Sequence, residues 1–376
     1  MTRPGAASQE ALRVALDDEI FIHQSHGGIS RYFCEIARRI ARLPGYRVHV
    51  LAPLHSNEHL RRSPVSTWGL YLPRARGLSR VQWALGRAAW PLLRGVAAPH
   101  VIHRTYYSCR ERPSGAARVV VTVHDMAHER LPALFPGDDT SRRKRAAVAG
   151  ADHVICVSES TRRDLVECFG VPLERTSVVH LGCDAAGLRD APQTPSPARP
   201  FVLYVGPRAG YKNFDALLQA FAASRGLARD FDLVAFGGSE WSAAEAARVR
   251  ALALPAESVR RVPGNDATLA ALYRQASALA LPSLHEGFGI PLVEAMSFGC
   301  PVACSDRASL PEIAGEAARY FDPRDPDAIA RALEEELGST TLRAALREKG
   351  LARAAGFSWD RTAARTAEVY ARVANG

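Results

Sequence analysis

Two glutamates, Glu286 and Glu294, lie eight positions apart in the segment 279–306, LALPSLHEGFGIPLVEAMSFGCPVACSD. Between them stand a Gly-Phe-Gly turn and Pro291, which suits the first turn of a helix because its φ is already helical and it has no N–H. An ionised carboxylate offers only acceptor oxygens, so each glutamate can take a pair of hydrogen bonds from the hydroxyls of a ribose or hexose. The spacing predicts a cradle for a phosphorylated sugar.

The glycines of this turn predict backbone that a ligand can approach. Gly287 and Gly289 place no Cβ between the main chain and a bound molecule. The N–H groups near Ile290 and Leu292, at the start of the predicted helix, are expected to point outward as an anion site. The simpler interpretation is one glutamate beside a turn and another on a helix face, and the accompanying glycines and proline favour the ligand site.

Two cations, Arg208 and Lys212, follow an apolar strand at 201–205 in the sequence GPRAGYKN. Cations at a strand end suit a diphosphate, whose charge grows as a sugar–phosphate bond breaks. The chain has 45 arginines and three lysines, so a lysine at 212 indicates a place where a compact ammonium is needed. The turn is not a nucleotide-binding P-loop, because Asn213 stands where such a loop has Ser or Thr.

Strand-like runs alternate with helix-period segments along the chain, which predicts an α/β fold of two doubly wound domains that face each other across a cleft. The runs are one before His26 and those at 46–51, 101–106, 119–124, 153–157, 177–181, 201–205, 231–236, 259–262, 279–282 and 301–305. The proline-rich stretch DAPQTPSPARP predicts a linker. The predicted division is an N-terminal domain at 1–189, the linker at 190–200, a C-terminal domain at 201–355 and a last helix at 356–376.

Composition restricts the class of protein. The 376 residues, 47% of them hydrophobic, suffice for two ordinary domains. Seven cysteines without C-x-x-C spacing indicate reduced thiols rather than disulfides or zinc, and no metal site is expected. Neither a spanning apolar run nor a secretory signal is recognisable, so we expect a cytoplasmic protein.

The net charge of +9 resides in the first half, where residues 1–190 contain 27 Lys and Arg against 18 Asp and Glu. Such a surface favours phosphates of anionic lipid, and nucleic acid is less favoured because no binding motif accompanies the charge. A helix at 80–94 repeats arginine every seven residues beside two tryptophans, which suits an anionic membrane surface. Packing of the helix on its own domain explains the tryptophans equally well, and Pro91 is expected to interrupt it. The residues concerned are Arg80, Trp83, Arg87, Trp90 and Arg94.

The motif of 279–306 resembles the donor-site signature of family 4 of the retaining glycosyltransferases, which have the GT-B fold. The resemblance extends over nearly the whole chain and is sharpest after Tyr204. It implies that Glu294 binds the ribose and Glu286 the transferred sugar, and that Arg208 and Lys212 bind the diphosphate in place of a metal. It further implies that the last helix crosses back to the N-terminal domain.

Other residues receive their roles from the same resemblance. In HGGISRY, Gly27 and Gly28 form a loop over the donor phosphates or the acceptor, although a glycine pair at a helix start is the plainer explanation. His124, at the end of the strand 119–123, is implied to lie near the donor sugar, and a core histidine bound to Asp125 is the alternative. The implied donor-binding set also contains Val262, Gly287, Phe288, Gly289 and Ile290.

The resemblance implies an activity but leaves the substrates open. HGGISRY, GYKN and HEGFGIP are most similar to bacterial mannosyl- and rhamnosyltransferases of O-antigen and other surface polysaccharide synthesis, so a GDP-sugar donor is expected first. UDP- and dTDP-sugars, a GT-B sugar-nucleotide epimerase and a non-catalytic nucleotide-sugar-binding protein remain alternatives. The acceptor is expected to be a glycan or a lipid-linked glycan, and no cofactor is expected.

Overall fold

The computed structural model describes residues 10–73, 78–108, 115–183, 199–255 and 257–376. The strands are β1 (Leu12–Leu16), β2 (Tyr46–His55), β3 (Thr67–Tyr71), β4 (Val101–Arg104), β5 (Arg118–Val123), β6 (His153–Cys156), β7 (Thr176–Val178), β8 (Phe201–Val205), β9 (Asp232–Phe236), β10 (Val259–Val262), β11 (Ala278–Leu281), β12 (Val302–Ser305) and β13 (Arg319–Phe321).

The helices of the N-terminal half are α1 (Glu19–His23), α2 (Gly28–Ile40), α3 (Glu58–Arg62), α4 (Leu78–Ala97), α5 (Ala127–Arg130), α6 (Thr140–Ala149) and α7 (Glu159–Phe169). Those of the C-terminal half are α8 (Phe214–Ala223), α9 (Arg225–Asp230), α10 (Ala243–Ala251), α11 (Asp266–Gln275), α12 (Ile290–Ser297), α13 (Leu310–Ala314), α14 (Pro326–Gly338), α15 (Thr340–Ala354) and α16 (Trp359–Asn375).

The described strands form two parallel sheets, ordered β3-β2-β1-β4-β5-β6-β7 and β10-β9-β8-β11-β12-β13. The prediction of two doubly wound α/β domains is therefore confirmed. In each sheet the first strand is internal, because β1 lies between β2 and β4, and β8 between β9 and β11. Chain progression reverses at these strands, so a crevice opens at their carboxyl ends where a ligand can bind.

Buried strands were predictable from the sequence, whereas two exposed edge strands were not. Within β5 the run from Val119 to Val123 is fully buried, as expected of a parallel strand covered by helices on both faces. Two strands were not predicted, β3 and β13, and both lie at sheet edges. β3 contains Gly69 and the exposed Leu70, and β13 has three residues, so neither shows the continuous apolar run of a central strand.

The chain passes between the domains at two adjacent places. The backbone N–H of Cys183 donates to the carbonyl of Phe357 over 3.2 Å. A Cβ on Gly182 would lie 2.2 Å from the backbone nitrogen of Trp359, so only glycine permits this approach. Of the predicted linker, residues 190–198 lie outside the described residues.

The last helix, α16, packs on the N-terminal domain. The Tyr46 hydroxyl donates to the carbonyl of Ala367 over 2.9 Å. The hydroxyl of Tyr370 lies 2.6 Å from Nδ1 of the buried His103. The C-terminal residues thus complete the core of the first domain.

Helix α4 is continuous, so the expected interruption at Pro91 is wrong. Pro91 is exposed, and its missing N–H removes one helical hydrogen bond without placing the ring against the core. The two tryptophans differ in environment: Trp90 is half-buried against Ala15 and its neighbours, whereas Trp83 is 45% exposed. Arg80 lies in this helix, with its side chain outside the described part.

Glu336 on α14 is fully buried, and neither carboxyl oxygen has a hydrogen-bond partner within the described part of the chain. Burial raises its pKa from 4.5 to about 8, although the charges of Arg343 and Arg319 act to lower it. The folded state therefore retains a proton that the unfolded chain releases above pH 4.5. As a result, the free energy of unfolding decreases as the pH rises from about 4.5 to about 8.

We expect Glu336→Gln to remove this pH dependence. Relative to the variant, the wild-type protein should lose about 3 kcal/mol of unfolding free energy between pH 5 and pH 7.5. Urea unfolding of both proteins at several pH values measures the difference, with the exposed Glu348→Gln as a matched control. Parallel pH curves for wild type and Glu336→Gln would contradict a titrating buried carboxyl.

Candidate active site

A cleft of ≈ 960 Å³ separates the two domains at the carboxyl ends of the strands. The loop and first turn of α2 line it from the N-terminal domain with Gly27, Gly28 and Arg31. The β8 loop and helix α12 line it from the opposite side. Their contributions include Lys212, Ile290, Pro291 and Glu294.

Lys212 and Glu286 form an ion pair at the edge of this cleft. The Lys212 ammonium donates to Oε1 of Glu286 over 2.7 Å, and the same oxygen accepts from the Ser283 hydroxyl over 2.7 Å. Their side chains are 14% and 8% exposed, so solvent weakens the pair little. The structure thus brings together two residues 74 positions apart, a cation and an acceptor that are both held in place before any ligand binds.

Glu294 lies one turn into α12 and lines the cleft. Its Oε2 accepts from the Tyr273 hydroxyl over 3.2 Å, and its Oε1 lies 3.5 Å from Nη1 of Arg31 in the opposite domain. Burial raises its pKa above the ordinary value, Arg31 and Tyr273 oppose this rise, and Asp266 adds to it. The carboxylate is thus shared between both walls of the cleft.

The glycine loop of HGGISRY faces the start of α12. A Cβ on Gly28 would lie 3.6 Å from Cδ1 of Ile290, which measures how closely the two domains approach here. At Gly27 a Cβ would collide with the side chain of Gln24, whose Oε1 would lie at 2.3 Å. An added Cβ would therefore make an ordinary contact at Gly28 and displace the end of the Gln24 side chain at Gly27, and the roles of both glycines over the donor or acceptor stay predictions.

The Gly-Phe-Gly turn is packed against protein on several sides. A Cβ on Gly287 would lie 1.8 Å from the carbonyl oxygen of His124, and one on Gly289 would lie 2.7 Å from Leu310. Phe288 is 3% exposed, and its ring contacts those of His180 and Phe357. Gly287 allows close packing between the domains, whereas Gly289 packs within its own domain. The roles of both glycines in donor binding, like that of Phe288, stay predictions.

The start of α12 differs in detail from the expected anion site. Gly289 precedes the helix in the left-handed conformation, and Pro291 stands in its first turn as predicted. The N–H of Leu292, however, donates to the carbonyl of Gly289 over 3.0 Å and is not available to an anion. The expectation for Leu292 is therefore wrong, because the helix begins with a tight turn.

His124 follows β5 and packs edge-on against the ring of Tyr32, with 5.3 Å between centroids. Its Nε2 has no hydrogen-bond partner among the described residues, so the alternative of a core histidine bound through this nitrogen to Asp125 is not observed. Burial lowers the pKa of His124 to about 4, with Asp125 opposing the shift, so the imidazole is neutral near pH 7. Its catalytic role stays a prediction.

Arg208 is buried in the wall of the C-terminal domain. Its Nε donates to Glu245 over 2.8 Å, its Nη2 donates to the carbonyl of Ser239 over 2.8 Å, and the guanidinium lies 4.3 Å from the ring centre of Trp241. Its hydrogen bond to Glu245 is the main cause that lowers the pKa of that carboxyl to about 2. Contact of Arg208 with a diphosphate stays a prediction and requires these bonds to rearrange.

Several site residues were not predicted. Arg31 stands within the motif HGGISRY, and Asp266 lies shortly after β10; both line the cleft. Val262, the last residue of β10, was predicted to bind the donor and is half-buried. Trp359 lines the cleft from α16, and its indole N–H has no partner among the described residues. Arg31, Asp266 and Trp359 are recognised by their contacts with distant segments. In the sequence, only Arg31 is marked, by the glycine motif in which it stands.

Metal-binding clusters and membrane-spanning helices are both absent from the described residues. No group of three or more His, Cys, Asp or Glu side chains in this part of the chain is arranged to hold a metal ion. No described helix combines the length and apolar character needed to cross a bilayer.

The chain matches two family models, one for each half. Residues 26–186 match "Glycosyltransferase Family 4" and residues 189–353 match "Glycosyl transferases group 1". The chain belongs to glycosyltransferase family 4. This family 4 glycosyltransferase therefore contains both halves of the architecture, and the cleft between them is its candidate active site.

Curated relatives and solved structures agree with the family. The glycosyltransferase is 29% identical over 276 residues to O-antigen chain mannosyltransferase B of Escherichia coli, covering 69% of the chain and 71% of the relative. It is 31% identical over 283 residues to D-inositol 3-phosphate glycosyltransferase of Salinispora arenicola, covering 67% and 63%. Sucrose-phosphate synthase from Thermosynechococcus elongatus has a similar fold, with a TM-score of 0.74 at 21% identity over 96% and 98% of the two chains.

Proposed function

We propose that this glycosyltransferase moves a mannose- or rhamnose-type hexose from a nucleoside diphosphate sugar, GDP-linked in the first instance, to a glycan or lipid-linked glycan of a bacterial surface polysaccharide. The observation that carries the proposal is the cross-domain cleft lined by Glu294 and Lys212, with Glu286 paired to Lys212 at its edge. The mannosyltransferase name of the O-antigen relative supports the sugar and the pathway class.

In the proposed mechanism each polar group has one task. Glu294 accepts hydrogen bonds from the ribose hydroxyls, and Glu286 accepts them from the transferred sugar. Lys212 stabilises the negative charge that grows on the leaving diphosphate, because a fixed cation in a site of restricted solvent access acts strongly on charge as it develops. No metal is required in this scheme.

His124 supplies a neutral hydrogen-bonding group near the sugar. Because burial lowers its pKa to about 4, it carries no positive charge near pH 7 that would oppose a developing oxocarbenium ion. Retention of the anomeric configuration follows from the resemblance to the family. Proton NMR of the product's anomeric signal tests retention, and undiminished turnover in EDTA tests independence from metal.

Thermal-shift measurements with GDP-mannose, UDP-glucose and dTDP-rhamnose identify the donor. At a concentration 100 times its Kd, the true donor should stabilise the protein by about 2.7 kcal/mol, or roughly 5 °C. Glu294→Ala should abolish the shift, because the ribose loses its acceptor. Glu316→Ala, on the same domain and 88% exposed, is the matched control.

The outcome with each nucleotide distinguishes the alternatives. A shift with a UDP- or dTDP-sugar alone would replace the GDP assignment while leaving the reaction class intact. Stabilisation without any sugar transfer would indicate a binding protein. If no nucleotide sugar stabilises the protein, or if Glu294→Ala shifts as the wild type does, the proposal is wrong.

We also propose that α4 lies in the headgroup layer of an anionic membrane. Val81, Leu85, Leu92 and Val96 share its outward side and are 50%, 49%, 71% and 68% exposed. On a different flank of the helix the Arg87 guanidinium lies 4.9 Å from the ring centre of Trp83. Exposed apolar side chains and an arginine–tryptophan pair on the same helix suit the boundary between acyl chains and phosphates.

Sedimentation with liposomes tests this docking. We expect the protein to pellet with phosphatidylglycerol vesicles at low salt, and the double variant Leu85→Ser/Leu92→Ser to pellet about tenfold less, because it loses buried apolar area in the bilayer. Leu173→Ser, at a position 59% exposed in the same domain, is the control. Pelleting that does not depend on lipid would end the docking proposal.

A further inference from the structure

Arg31 joins the two domains across the cleft. It lies in the first turn of α2, and its Nη1 is 3.5 Å from Oε1 of Glu294 and 3.9 Å from Oδ2 of Asp266. Both carboxylates belong to the C-terminal domain, and the cation belongs to the N-terminal domain. The side chain of Arg31 is 26% exposed, so the bridge is only partly screened by solvent.

The surroundings of Glu294 make this cation important. Helix α11 faces it with Asp266, a second carboxylate, and with the hydroxyl of Tyr273. Burial and the charge of Asp266 both disfavour the ionised form of Glu294, and the charge of Arg31 favours it. The other titratable groups that line or adjoin this part of the cleft are His26, Glu58, His59, Arg62, Cys183 and Lys212.

We propose that Arg31 is the positioning residue for Glu294, holding this carboxylate charged and oriented towards the ribose hydroxyls from across the domain boundary. The inference rests on the proposed role of Glu294 and deepens it. An ionised carboxylate can accept from two neighbouring hydroxyls because both of its oxygens are acceptors, and the planar guanidinium fixes one of these oxygens. Nucleotide binding by the C-terminal domain therefore depends on the presence of the N-terminal wall.

Arg31 as a positioning residue differs from Arg31 in two simpler roles. A residue that binds the diphosphate directly would act independently of Glu294. A residue that merely takes the place of the ribose beside Glu294 would compete with the nucleotide, and its removal would tighten binding. A positioning residue acts only through Glu294 and changes the pH dependence of binding.

Isothermal titration of the protein with GDP and UDP from pH 5 to pH 9 provides the test. The variants are Arg31→Gln, Arg31→Lys, Glu294→Gln and the double variant Arg31→Gln/Glu294→Gln. Arg42→Gln, an exposed arginine just beyond the same helix, is the matched control. A folding defect is detected separately by circular dichroism.

Arg31→Gln should weaken nucleotide binding about tenfold at pH 7 and move the acid limb of the Kd profile upward by about one pH unit, because Glu294 loses its nearest cation. Arg31→Lys should retain most of the wild-type affinity and a nearly unshifted pH profile. The double variant should bind no more weakly than Glu294→Gln alone.

Three results would overturn the inference. Tighter binding by Arg31→Gln would identify a competitor for the site. Losses that multiply in the double variant, with an unmoved pH profile, would identify an independent contact and leave the proposed function standing. Unchanged affinity in Glu294→Gln would remove the assigned role of Glu294, and the inference would fail together with the proposed function.

Discussion

Replacing Lys212 with alanine is expected to lower kcat by about 10²- to 10³-fold. The ammonium lies 2.7 Å from Glu286 in a partly closed cleft, and its removal has two consequences. The leaving diphosphate loses a preorganised cation, and Glu286, which is 8% exposed, loses its counter-charge. Without the ammonium, Glu286 is held by the Ser283 hydroxyl and is less firmly oriented towards the sugar hydroxyls.

Release of nucleoside diphosphate under saturating donor measures this effect. Lys212→Arg keeps the charge in a larger, planar group and should lose about tenfold, since the site is shaped for an ammonium. Lys349→Ala, which removes an exposed lysine paired with Glu316, should behave as the wild type. A kcat for Lys212→Ala within about threefold of the wild type would contradict the role given to Lys212.

Gly287→Ala is expected to separate the domains and to reduce activity by at least about 10²-fold. The new methyl group would lie 1.8 Å from the carbonyl oxygen of His124 and 2.8 Å from Cα of Asp125. Both are backbone atoms, so no side-chain rotation relieves the collision. Such overpacking costs about 3 kcal/mol, and the chain escapes it by moving one domain away from the other.

Small-angle scattering and steady-state kinetics test this expectation together. The radius of gyration should increase while circular dichroism stays unchanged, because each sheet retains its own core. Gly338→Ala has open space around the added Cβ and serves as the control. Full activity and unchanged scattering in Gly287→Ala would show that the turn tolerates a side chain there.

Much of the fold was predictable because the pattern of apolar residues along the sequence indicates which segments are buried. Central strands such as β5 and β8 are continuous apolar runs, and the proline-marked start of α12 is a local signal. The loops that follow these strands could therefore be placed at one cleft. Strand β3, by contrast, lies at an edge with exposed residues and has no such pattern.

The contacts of the site were predictable only where motif and fold coincide. Glu294 and Lys212 line the cleft, and Glu286 pairs with Lys212 at its edge. The enclosure of Arg208 depends on Trp241 and Glu245, which follow it by more than 30 residues and carry no motif. Likewise, the sequence predicts that Gly287 leaves room for a ligand. The structure shows that backbone atoms of the N-terminal domain occupy the space where its Cβ would lie.

The carbonyl of Gly287 accepts hydrogen bonds from Ser158 over 2.7 Å and from Thr161 over 3.1 Å, both at the start of α7 in the other domain. The Gly-Phe-Gly turn is thus complementary to the start of α7 in the N-terminal domain, in addition to any complementarity to its substrate. Chimeras that combine the N-terminal half of one family member with the C-terminal half of another should assemble poorly unless 124–125 and 158–161 travel with the Gly-Phe-Gly turn. When domains are exchanged to alter acceptor choice, the residues on both sides of this contact should therefore be transferred together.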